Sequence, residues 1–530
     1  MIAVGTIDTN VFKKVESRIL GNIPESWIKT TLGECFKWGS GGTPKSGNSE
    51  YYGGNIPWLV IGDLNDSIIN ESSQKITEKG LHNSSAKLVD EGTLLLAMYG
   101  SIGKLGIAGM KLATNQAIAF AEKNEIETKY LFNFLLYVRL QLNTLGKGAT
   151  QQNISQTVIK AFPFPLAPLN EQKRIVAKIE ELFSELDNGI AALKTAREQL
   201  KVYRQAVLKH AFEGKLTAKW REKNADKLES PEQLLARIQQ EREDRYQEQL
   251  EDWMAAVKEW EANGKEGKKP GKPKTFSKID LLSNSELMDL PELPDGYIYI
   301  ALLNLGDLSR GKSKHRPRND PRLFGGKYPF IQTAEVKSAN RIINKYHQTY
   351  SDFGLAQSKL WPSGTLCITI AANIAETSFL GFDCCFPDSI VGFTAYKSVI
   401  PEYVELFIKA VRVNIEAYAP ATAQKNINLV TLENLVVPYC SIDEQKKIIN
   451  EVEAIFSVID NNEKEIESAL TKAKTLRQSI LKKAFSGQLV PQDPSDEPAS
   501  KLLARIQAEK EFVNIQKTSK SNKRHSVSSH

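Results

Sequence analysis

The sequence predicts an α+β fold in which two homologous mixed α/β modules are separated by two long antiparallel coiled-coil helices, with pseudo-twofold symmetry. Three observations predict it: an internal repeat, strand-like apolar runs in each copy, and a coiled-coil spacing of apolar residues after each copy. Each copy thus consists of a globular module followed by a long helix.

The repeat has a constant offset of 273 residues, the step from residue 171 to residue 444. Glu171-Gln172-Lys173 returns as Glu444-Gln445-Lys446. The same offset matches Leu32-Gly33 with Leu305-Gly306 in otherwise dissimilar sequence. Two copies of one binding unit in a chain suggest a bipartite, pseudo-twofold target.

Short apolar runs punctuated by glycine predict strands in both modules. In the first module, the runs at 56–61 and 93–98 are strand-like, and Tyr130 to Leu142 is an apolar helical stretch. The second module repeats this order, with strand-like runs at 328–331 and 364–370 and a helix from Pro401 to about Tyr418. Both modules therefore have a mixed α/β pattern.

A long helix is predicted after each module. We expect Asn170 and Asp443 to cap the two helices, and Gly214 and Gly487 to terminate them. Apolar residues recur at steps of three and four, which is typical of a coiled-coil seam, and Glu463 interrupts the second series. The predicted seam contains Ile175, Ile179, Leu182, Leu186, Leu193, Ile448, Val452, Ile455, Ile459 and Ile466.

An insertion separates the two copies. Ser230-Pro231-Glu232 predicts the start of a charged helix that reaches about Trp260, and its motif at 234–238 recurs at 502–506. Pairing of these two motifs or partner docking by them is expected. The predicted segments are an N-terminal arm 1–23, module 1 at 24–168, a helix at 169–214, the insertion at 215–262, a basic linker at 263–290, module 2 at 291–440, a second helix at 441–487, a helical extension at 488–516 and a disordered tail at 517–530.

Composition favours a cytoplasmic protein with reduced thiols. The first twenty residues contain no apolar stretch typical of a signal peptide, and no uncharged run approaches the roughly 20 residues of a membrane span. The five cysteines form no CxxC spacing, and the six histidines form no metal-binding motif. We therefore predict no metal site and no membrane partner.

Positive charge is concentrated in one stretch. Residues 310–327 contain seven basic side chains and one acidic one, a net charge of +6, which equals the formal charge of the whole chain. Because Pro317 and Pro321 break this stretch, it is expected to be an extended loop that projects guanidinium groups suited to phosphate or guanine. Double-stranded DNA is the predicted partner.

Motifs for catalysis are weak. Residues 306–313 match the phosphate-loop pattern GxxxxGK[ST], but the prolines that follow cannot supply the helix that such a loop requires. No adjacent prolines are present for an amino-methyltransferase motif, and no His–carboxylate cluster suggests a nuclease. The alternatives are a stand-alone phosphate-loop ATPase or nuclease, and a coiled-coil adaptor that does not bind DNA.

The chain resembles the specificity subunit of type I restriction-modification enzymes. The resemblance rests on the helix entries at 168–175 and 441–448, on Gly42-Thr43-Pro44, on the turn at 100–103, and on the helix ends at 211–216 and 484–489. It covers nearly the whole chain.

The resemblance implies that each module is a target recognition domain for one half of an asymmetric DNA site. It also implies that the helices dock two adenine-N6 methyltransferase (M) subunits, through which ATP-dependent restriction (R) subunits join. This chain would bind no cofactor and hold no catalytic residue, because S-adenosylmethionine, ATP and Mg²⁺ act in the partners. The two half-sites are expected about 10 base pairs apart, centre to centre.

Loop residues with basic or amide side chains are the candidates for DNA contact, since Arg and Lys bind guanine or phosphate and amides bind adenine. In module 1 they are Lys45, Ser101, Lys104, Lys147, Gln151, Gln152 and Asn153. In module 2 they are Lys312, Lys314, Arg316, Arg318, Arg322, Gln424, Lys425 and Asn426.

Overall fold

The computed structural model describes residues 16–17, 19–21, 23–146, 153–273, 275, 278–279, 282, 287–288, 290–371, 374–412, 415 and 428–512. They divide into two compact units. Unit 1 contains the described residues up to Lys194 together with those from Glu467 onwards, and unit 2 extends from Thr195 to Ile466. Each unit thus contains one module and segments of both long helices.

The module of unit 1 contains short strands that form two sheets and one separate pair of strands. Its elements are β1 (Ile28–Thr31), α1 (Leu32–Cys35), β2 (Trp38–Ser40), β3 (Tyr52–Leu59), β4 (Ser67–Ile69), β5 (Gln74–Ile76), α2 (Glu78–His82), β6 (Leu88–Val89), β7 (Leu94–Ala97), β8 (Leu105–Ala108), β9 (Leu112–Thr114), β10 (Ile118–Ala121), α3 (Thr128–Tyr137), α4 (Arg139–Thr144), α5 (Gln156–Ala161) and β11 (Pro163–Leu166). The main sheet has the order β2-β10-β7-β8-β4, the second has β5-β3-β9-β6, and β1 pairs with β11. The predicted helix from Tyr130 to Leu142 is therefore interrupted at Val138, between α3 and α4.

The long helix α6 (Leu169–Phe212) precedes α7 (Ala218–Lys223) and α8 (Pro231–Ala262). Module 2 then contains β12 (Tyr297–Ala301), β13 (Gly306–Arg310), β14 (Phe324–Phe330), α9 (Thr333–Ser338), β15 (Ile342–Ile343), β16 (Gln348–Tyr350), α10 (Asp352–Ala356), β17 (Leu366–Thr369), β18 (Thr377–Leu380), β19 (Ile390–Ala395), α11 (Pro401–Val411), α12 (Leu429–Glu433) and β20 (Val436–Cys440). The second long helix is α13 (Ile442–Phe485), and residues 499–512 form α14.

The main sheet of module 2 has the order β13-β19-β17-β18-β15, which repeats the order of the main sheet in module 1. In both sheets the last edge strand, β4 or β15, is parallel to its neighbour, and the other pairs are antiparallel. The predicted class of two alike α/β modules with long helices is confirmed. Helix α11 ends at Val411, earlier than the predicted end near Tyr418, which lies outside the described residues.

The two long helices begin at or within one residue of the predicted boundaries, 169 and 441, but their caps differ from the prediction. Because α6 begins at Leu169 and α13 at Ile442, Asn170 and Asp443 lie inside the first turn, and the prediction that they cap the helices is wrong. In α13 the hydroxyl of Ser441 accepts from the Glu444 amide instead, at 3.4 Å. A side chain can accept from the free first-turn amides only from the position before the first helical residue.

The predicted glycine terminators are confirmed. Gly214 and Gly487 have φ of +67° and +68°, in the left-handed region that favours glycine. The next amides, of Lys215 and Gln488, donate to carbonyls five residues earlier at 2.9 and 2.8 Å, so each helix ends in a Schellman motif.

Within each unit, the segments of the two long helices are antiparallel. In unit 1, Arg477 lies 4.7 Å from the centre of the Phe183 ring and pairs with Asp187. In unit 2, Arg204 lies 4.6 Å from the centre of the Phe456 ring and pairs with Asp460 at 2.5 Å. The repeat therefore preserves one Phe–Arg–Asp contact in each unit.

Glu463 replaces apolar Ile190 of the other copy and has a role in unit 2. Its carboxylate accepts from Arg204 at 3.4 Å, next to Asp460. The residue that interrupts the predicted seam thus adds a second anion to this guanidinium.

The seam residues nearest each module are the most buried. Ile175 and Ile179 pack with Ile480, Leu481 and Ala484 in the core of unit 1. Ile448 and Val452 pack with Val207, Leu208 and Ala211 in the core of unit 2. Of the other predicted seam residues, Ile459 and Ile466 are buried, and Leu182, Leu186, Leu193 and Ile455 are half-buried.

The repeated motif of the insertion packs on its own unit. Leu234 and Ile238 of α8 are fully buried in the core of unit 2, and Leu502 and Ile506 of α14 are buried in the core of unit 1. Helix α8 begins as predicted, with the Ser230 hydroxyl accepting from Gln233 and Pro231 in the first turn. In the described structure, each motif therefore packs against the core of its own module.

Backbone hydrogen bonds show that the two copies align differently at their first strands than the sequence predicted. The Leu32 amide donates to Phe162 O, and the equivalent bond in unit 2 runs from Leu302 to Leu435 O. The prediction that Leu32-Gly33 matches Leu305-Gly306 is therefore wrong. The offset is 270 residues at the N-terminal strand and becomes 273 later, because the modules differ in loop length.

Candidate nucleic-acid interface

The candidate residues of module 1 lie at one end of its main sheet. The carboxyl ends of β2 and β7 both lie beside the start of β10, because Ser40 pairs with Ala119 and Ala97 with Ile118. The loops after these strands therefore come together. They carry exposed Lys45 and Ser101 and half-buried Lys104.

Backbone contacts hold this end of module 1 in place. Tyr99 forms a bridge with exposed Asn153, and the Thr43 hydroxyl donates to the Gln116 side chain. A Cβ on Gly41 would lie 1.8 Å from the carbonyl oxygen of Thr114, so glycine is required for this close approach. The arrangement presents polar side chains on a rigid base.

Arg139 positions the turn that carries Ser101 and Lys104. Its Nε donates to Gly103 O at 2.8 Å, and its Nη1 and Nη2 donate to the Asp66 carboxylate at 3.0 and 2.5 Å. Asp66 also accepts from the amide of Leu105 at 2.9 Å. Sequence reasoning did not identify this support, because Asp66 and Arg139 are 73 residues apart.

We expect Arg139→Ala to weaken binding to the half-site of module 1 by severalfold, because hydrogen bonds to charged groups contribute about 1.5–3 kcal/mol and the turn would lose two of its supports. The measurement is equilibrium binding to duplexes altered in one half-site at a time. Lys129→Ala is the matched control, since it removes only an exposed ion pair with Glu180 in the same unit. Equal effects of the two variants would contradict this role for Arg139.

The candidates of module 2 lie at the equivalent end of its main sheet. Arg310 pairs with Val391 and Thr369 pairs with Ile390, so the ends of β13 and β17 meet the start of β19. The basic loop follows β13. Its candidate residues Lys312, Lys314, Arg316, Arg318 and Arg322 are all exposed.

The arginines of this loop are more constrained than predicted. Arg318 forms an ion pair with Asp388 at 3.0 Å, and Arg322 pairs with Asp320 at 2.7 Å. Arg316 donates to the backbone oxygens of Ser313 and His315 at 2.6 and 2.8 Å. The loop is thus held by its own contacts and by the loop that precedes β19.

Asp320 organises one side of the basic loop. It accepts from Arg322 and, at 2.7 Å, from His315 Nε2. Hydrogen bonds from the Arg322 side chain and amide and from His315 hold the pKa of Asp320 well below its ordinary value. The carboxylate therefore remains an anion across the physiological range and offsets part of the basic charge.

Sequence reasoning missed two residues of this interface. Asp388 lies outside the basic stretch in sequence, and exposed Lys359 lies 3.7 Å from the centre of the Trp361 ring. Partial loss of water contact by its ammonium group, together with the charge of nearby Lys312, lowers the pKa of Lys359. The amide of Lys314 donates to Gln357 O at 3.2 Å, which brings the two loops together.

Six candidates lie outside the described residues: Lys147, Gln151, Gln152, Gln424, Lys425 and Asn426. Their neighbour Asn153 lies at the candidate end of module 1.

The phosphate-loop match is a coincidence of sequence. Gly306–Arg310 is strand β13, and no helix begins at Lys312, where the fold of such a loop requires one. All five cysteines are buried free thiols, as predicted. In the described part of the chain, no three His, Cys, Asp or Glu side chains come together as metal ligands, and no helix is long and apolar enough to cross a membrane.

Comparison with known proteins identifies the two modules. The model of the type I restriction modification DNA specificity domain matches residues 24–195 and again residues 301–472. The chain belongs to the type I restriction-modification DNA specificity family. It is a specificity subunit with two target recognition domains, and both matches extend from a module into the long helix that follows it.

Curated relatives align along almost all of this specificity subunit. The EcoKI specificity subunit of Escherichia coli (strain K12) is 22% identical over 511 residues, which cover 92% of this chain and 97% of the relative. The EcoBI specificity subunit of Escherichia coli is 24% identical over 520 residues, covering 94% and 95%.

Solved structures share the fold. The HsdS subunit from Thermoanaerobacter tengcongensis has a TM-score of 0.52 at 16% identity, covering 88% of this chain and 98% of that chain. A second solved chain comes from work on complex assembly and conformational transition of the type I R-M system. It has a TM-score of 0.60 at 17% identity, and the match covers 88% of this chain and 99% of that chain.

Proposed function

We propose that this specificity subunit is the non-catalytic DNA-reading subunit of a cytoplasmic type I restriction-modification complex that acts against foreign DNA. Module 1 and module 2 would each bind one half of a bipartite, asymmetric double-stranded site. The observation that carries the proposal is that the same end of the main sheet, in both modules, collects exposed basic and polar side chains on short, supported loops. Such side chains bind phosphates and base edges.

The long helices would dock two adenine-N6 methyltransferase subunits, and restriction subunits would join through them. Each unit supports this with a groove between its module and its helix segments. In unit 1 the groove has a volume of about 1020 Å³ and is lined by Leu136, Leu140 and Phe183. The groove of unit 2 has a volume of about 590 Å³ and contains Phe456, the counterpart of Phe183.

We propose that no catalytic residue and no bound cofactor belong to this chain, and that S-adenosylmethionine, ATP and Mg²⁺ act in the partner subunits. The described side chains gathered at the sheet ends support this, since their basic and amide groups are suited to binding DNA.

The decisive experiment is to co-express this chain with the methyltransferase subunit encoded beside it, in a host without DNA modification. N6-methyladenine is then mapped across the genome by single-molecule sequencing. We expect one split motif with a fixed gap. Co-purification of the two proteins without such methylation would refute the proposed reading function, and failure to co-purify would favour the adaptor alternative.

Binding of module 2 should depend on the lysines of the basic loop. We expect Lys312→Ala with Lys314→Ala to reduce affinity for all sequences alike and to lower the slope of log affinity against log salt by about 0.9 for each phosphate that is no longer neutralised. The measurement is a salt titration of binding by the full complex. An unchanged slope would remove these lysines from the phosphate interface.

A further inference from the structure

Among the arginines of module 2, Arg318 has a distinctive environment. Its Nη2 donates to both oxygens of Asp388 at 3.0 Å, and its side chain remains 56% exposed. Within the described structure, its Nε and Nη1 hydrogens have no hydrogen-bond acceptor. The guanidinium is therefore held at one nitrogen while its other N–H groups remain available to a ligand.

The loop that carries Asp388 is itself fixed. The backbone oxygen of Asp388 accepts hydrogen bonds from Nε and Nη2 of Arg310, the last residue of β13, at 2.9 and 2.7 Å. The preceding oxygens of Phe386 and Pro387 lie so close to Gly311 that a Cβ there would be 2.4 and 2.3 Å from them. Phe386 is fully buried and stacks on Trp361 at 4.8 Å. Asp388 is thus anchored to the packed interior of the module.

The other arginines of the loop differ. Arg322 uses Nε and Nη2 to bind Asp320, two residues away, and Arg316 is bound to backbone oxygens within three residues of itself. Their contacts hold the loop together locally. Of these three described arginines, Arg318 is the one oriented by a carboxylate from a distant part of the sheet end, 70 residues away.

A pre-oriented guanidinium is suited to the acceptor edge of guanine. Guanine presents N7 and O6 in the major groove, and arginine is its commonest specific partner. Fixing the side chain before binding reduces the conformational entropy that is given up on contact.

We propose that Arg318 binds a guanine in the half-site of module 2, and that Asp388 is the positioning residue that orients it. The inference rests on the proposed function and deepens it, since it assigns one base class to one side chain. Asp388 acts through Arg318 and sets which N–H groups face the DNA.

The test compares methylation motifs and duplex binding for Arg318→Lys, Asp388→Asn and the control Lys314→Ala, each in the full complex. For the unaltered chain we expect a roughly 5- to 100-fold preference for guanine over other bases at one position of the module 2 half-site. Arg318→Lys should abolish most of that preference. Asp388→Asn should reduce it while the half-site of module 1 stays unchanged, and Lys314→Ala should weaken binding without changing the preference.

Unchanged hydrogen-exchange protection of module 2 peptides shows that the altered module is folded, and retention of the module 1 half-site shows that each variant complex assembles. A uniform loss of affinity by Arg318→Lys, with the guanine preference intact, would make Arg318 a phosphate contact and overturn the proposal. An Asp388→Asn variant that behaves like the unaltered chain would overturn the positioning role. Failure of the proposed function is distinguishable, because the unaltered chain would then yield no split motif.

Discussion

Phe485→Ala is expected to unfold the core of module 1 locally and to abolish binding of its half-site. Phe485 is the last residue of α13 and is 1% exposed, with its ring centre 5.2 Å from that of Tyr130 and 5.3 Å from that of Phe134. Truncation of a buried phenylalanine costs about 3–5 kcal/mol, since it removes apolar contacts and leaves a cavity. The far end of the second helix thus completes the core of the first module.

Hydrogen exchange of the full chain, followed by mass spectrometry, measures this effect. Peptides from β1, β11 and α3 should lose protection, and peptides from module 2 should not. Phe212→Ala is the matched variant, because Phe212 makes the equivalent contacts with Tyr403 and Phe407, each at 5.1 Å, in unit 2. Phe212→Ala should reduce the protection of module 2 peptides and leave that of module 1 peptides unchanged. If either variant reduced protection equally in both modules, the division into two units would be contradicted.

Glu444→Ala is expected to have the second large effect, a loss of about 3–5 kcal/mol in the stability of unit 2. The Glu444 carboxylate is 1% exposed and accepts from Arg221 at 2.6 Å, from Thr217 at 2.7 Å and from Tyr297 at 2.8 Å. Its removal would leave the largely buried guanidinium of Arg221 without its carboxylate partner. Urea unfolding with exchange of β12 and β20 peptides measures the loss.

The matched position in the repeat, Glu171, gives a contrasting control. Within the described residues its carboxylate accepts from neutral groups, the Trp27 indole at 2.9 Å and the Gln492 amide at 2.5 Å. Burial raises the pKa of Glu171, although these hydrogen bonds act in the opposite direction. In unit 1, burial therefore makes ionisation of this glutamate less favourable than in an exposed glutamate.

The raised pKa gives a prediction for Glu171→Gln. When the folded pKa exceeds the unfolded one, stability is lost as pH rises from the ordinary glutamate pKa of 4.5 through the folded value, because the unfolded chain ionises first. Glutamine does not titrate, so the variant should gain stability relative to the unaltered chain over that window. Urea unfolding of both chains across this pH range measures the difference, and a pH-independent difference would contradict the raised pKa of Glu171.

Much of the fold was accessible from sequence because it repeats or is periodic. The offset between Glu171 and Glu444, the apolar spacing of the long helices and the glycines at 214 and 487 express local requirements of backbone and burial. The family resemblance could also be seen in the sequence, because it rests on the helix entries and helix ends that recur in both copies. The interface was predicted only as a set of basic and amide residues, since charge and side-chain type can be read from the chain but their partners cannot.

The sequence by itself determined two alike α/β modules, the helices that follow them and a basic loop after β13. Only the tertiary structure decided which residues meet: Asp388 with Arg318, Asp66 with Arg139, and Phe485 with the core of module 1. It also decided that Asn170 and Asp443 lie inside the first turns of the long helices, and that the repeat has a different offset at its N-terminal strands. The physical reason is that periodicity and turn chemistry act between near neighbours, whereas these contacts join residues that are distant in sequence through the pairing of strands and the packing of helices.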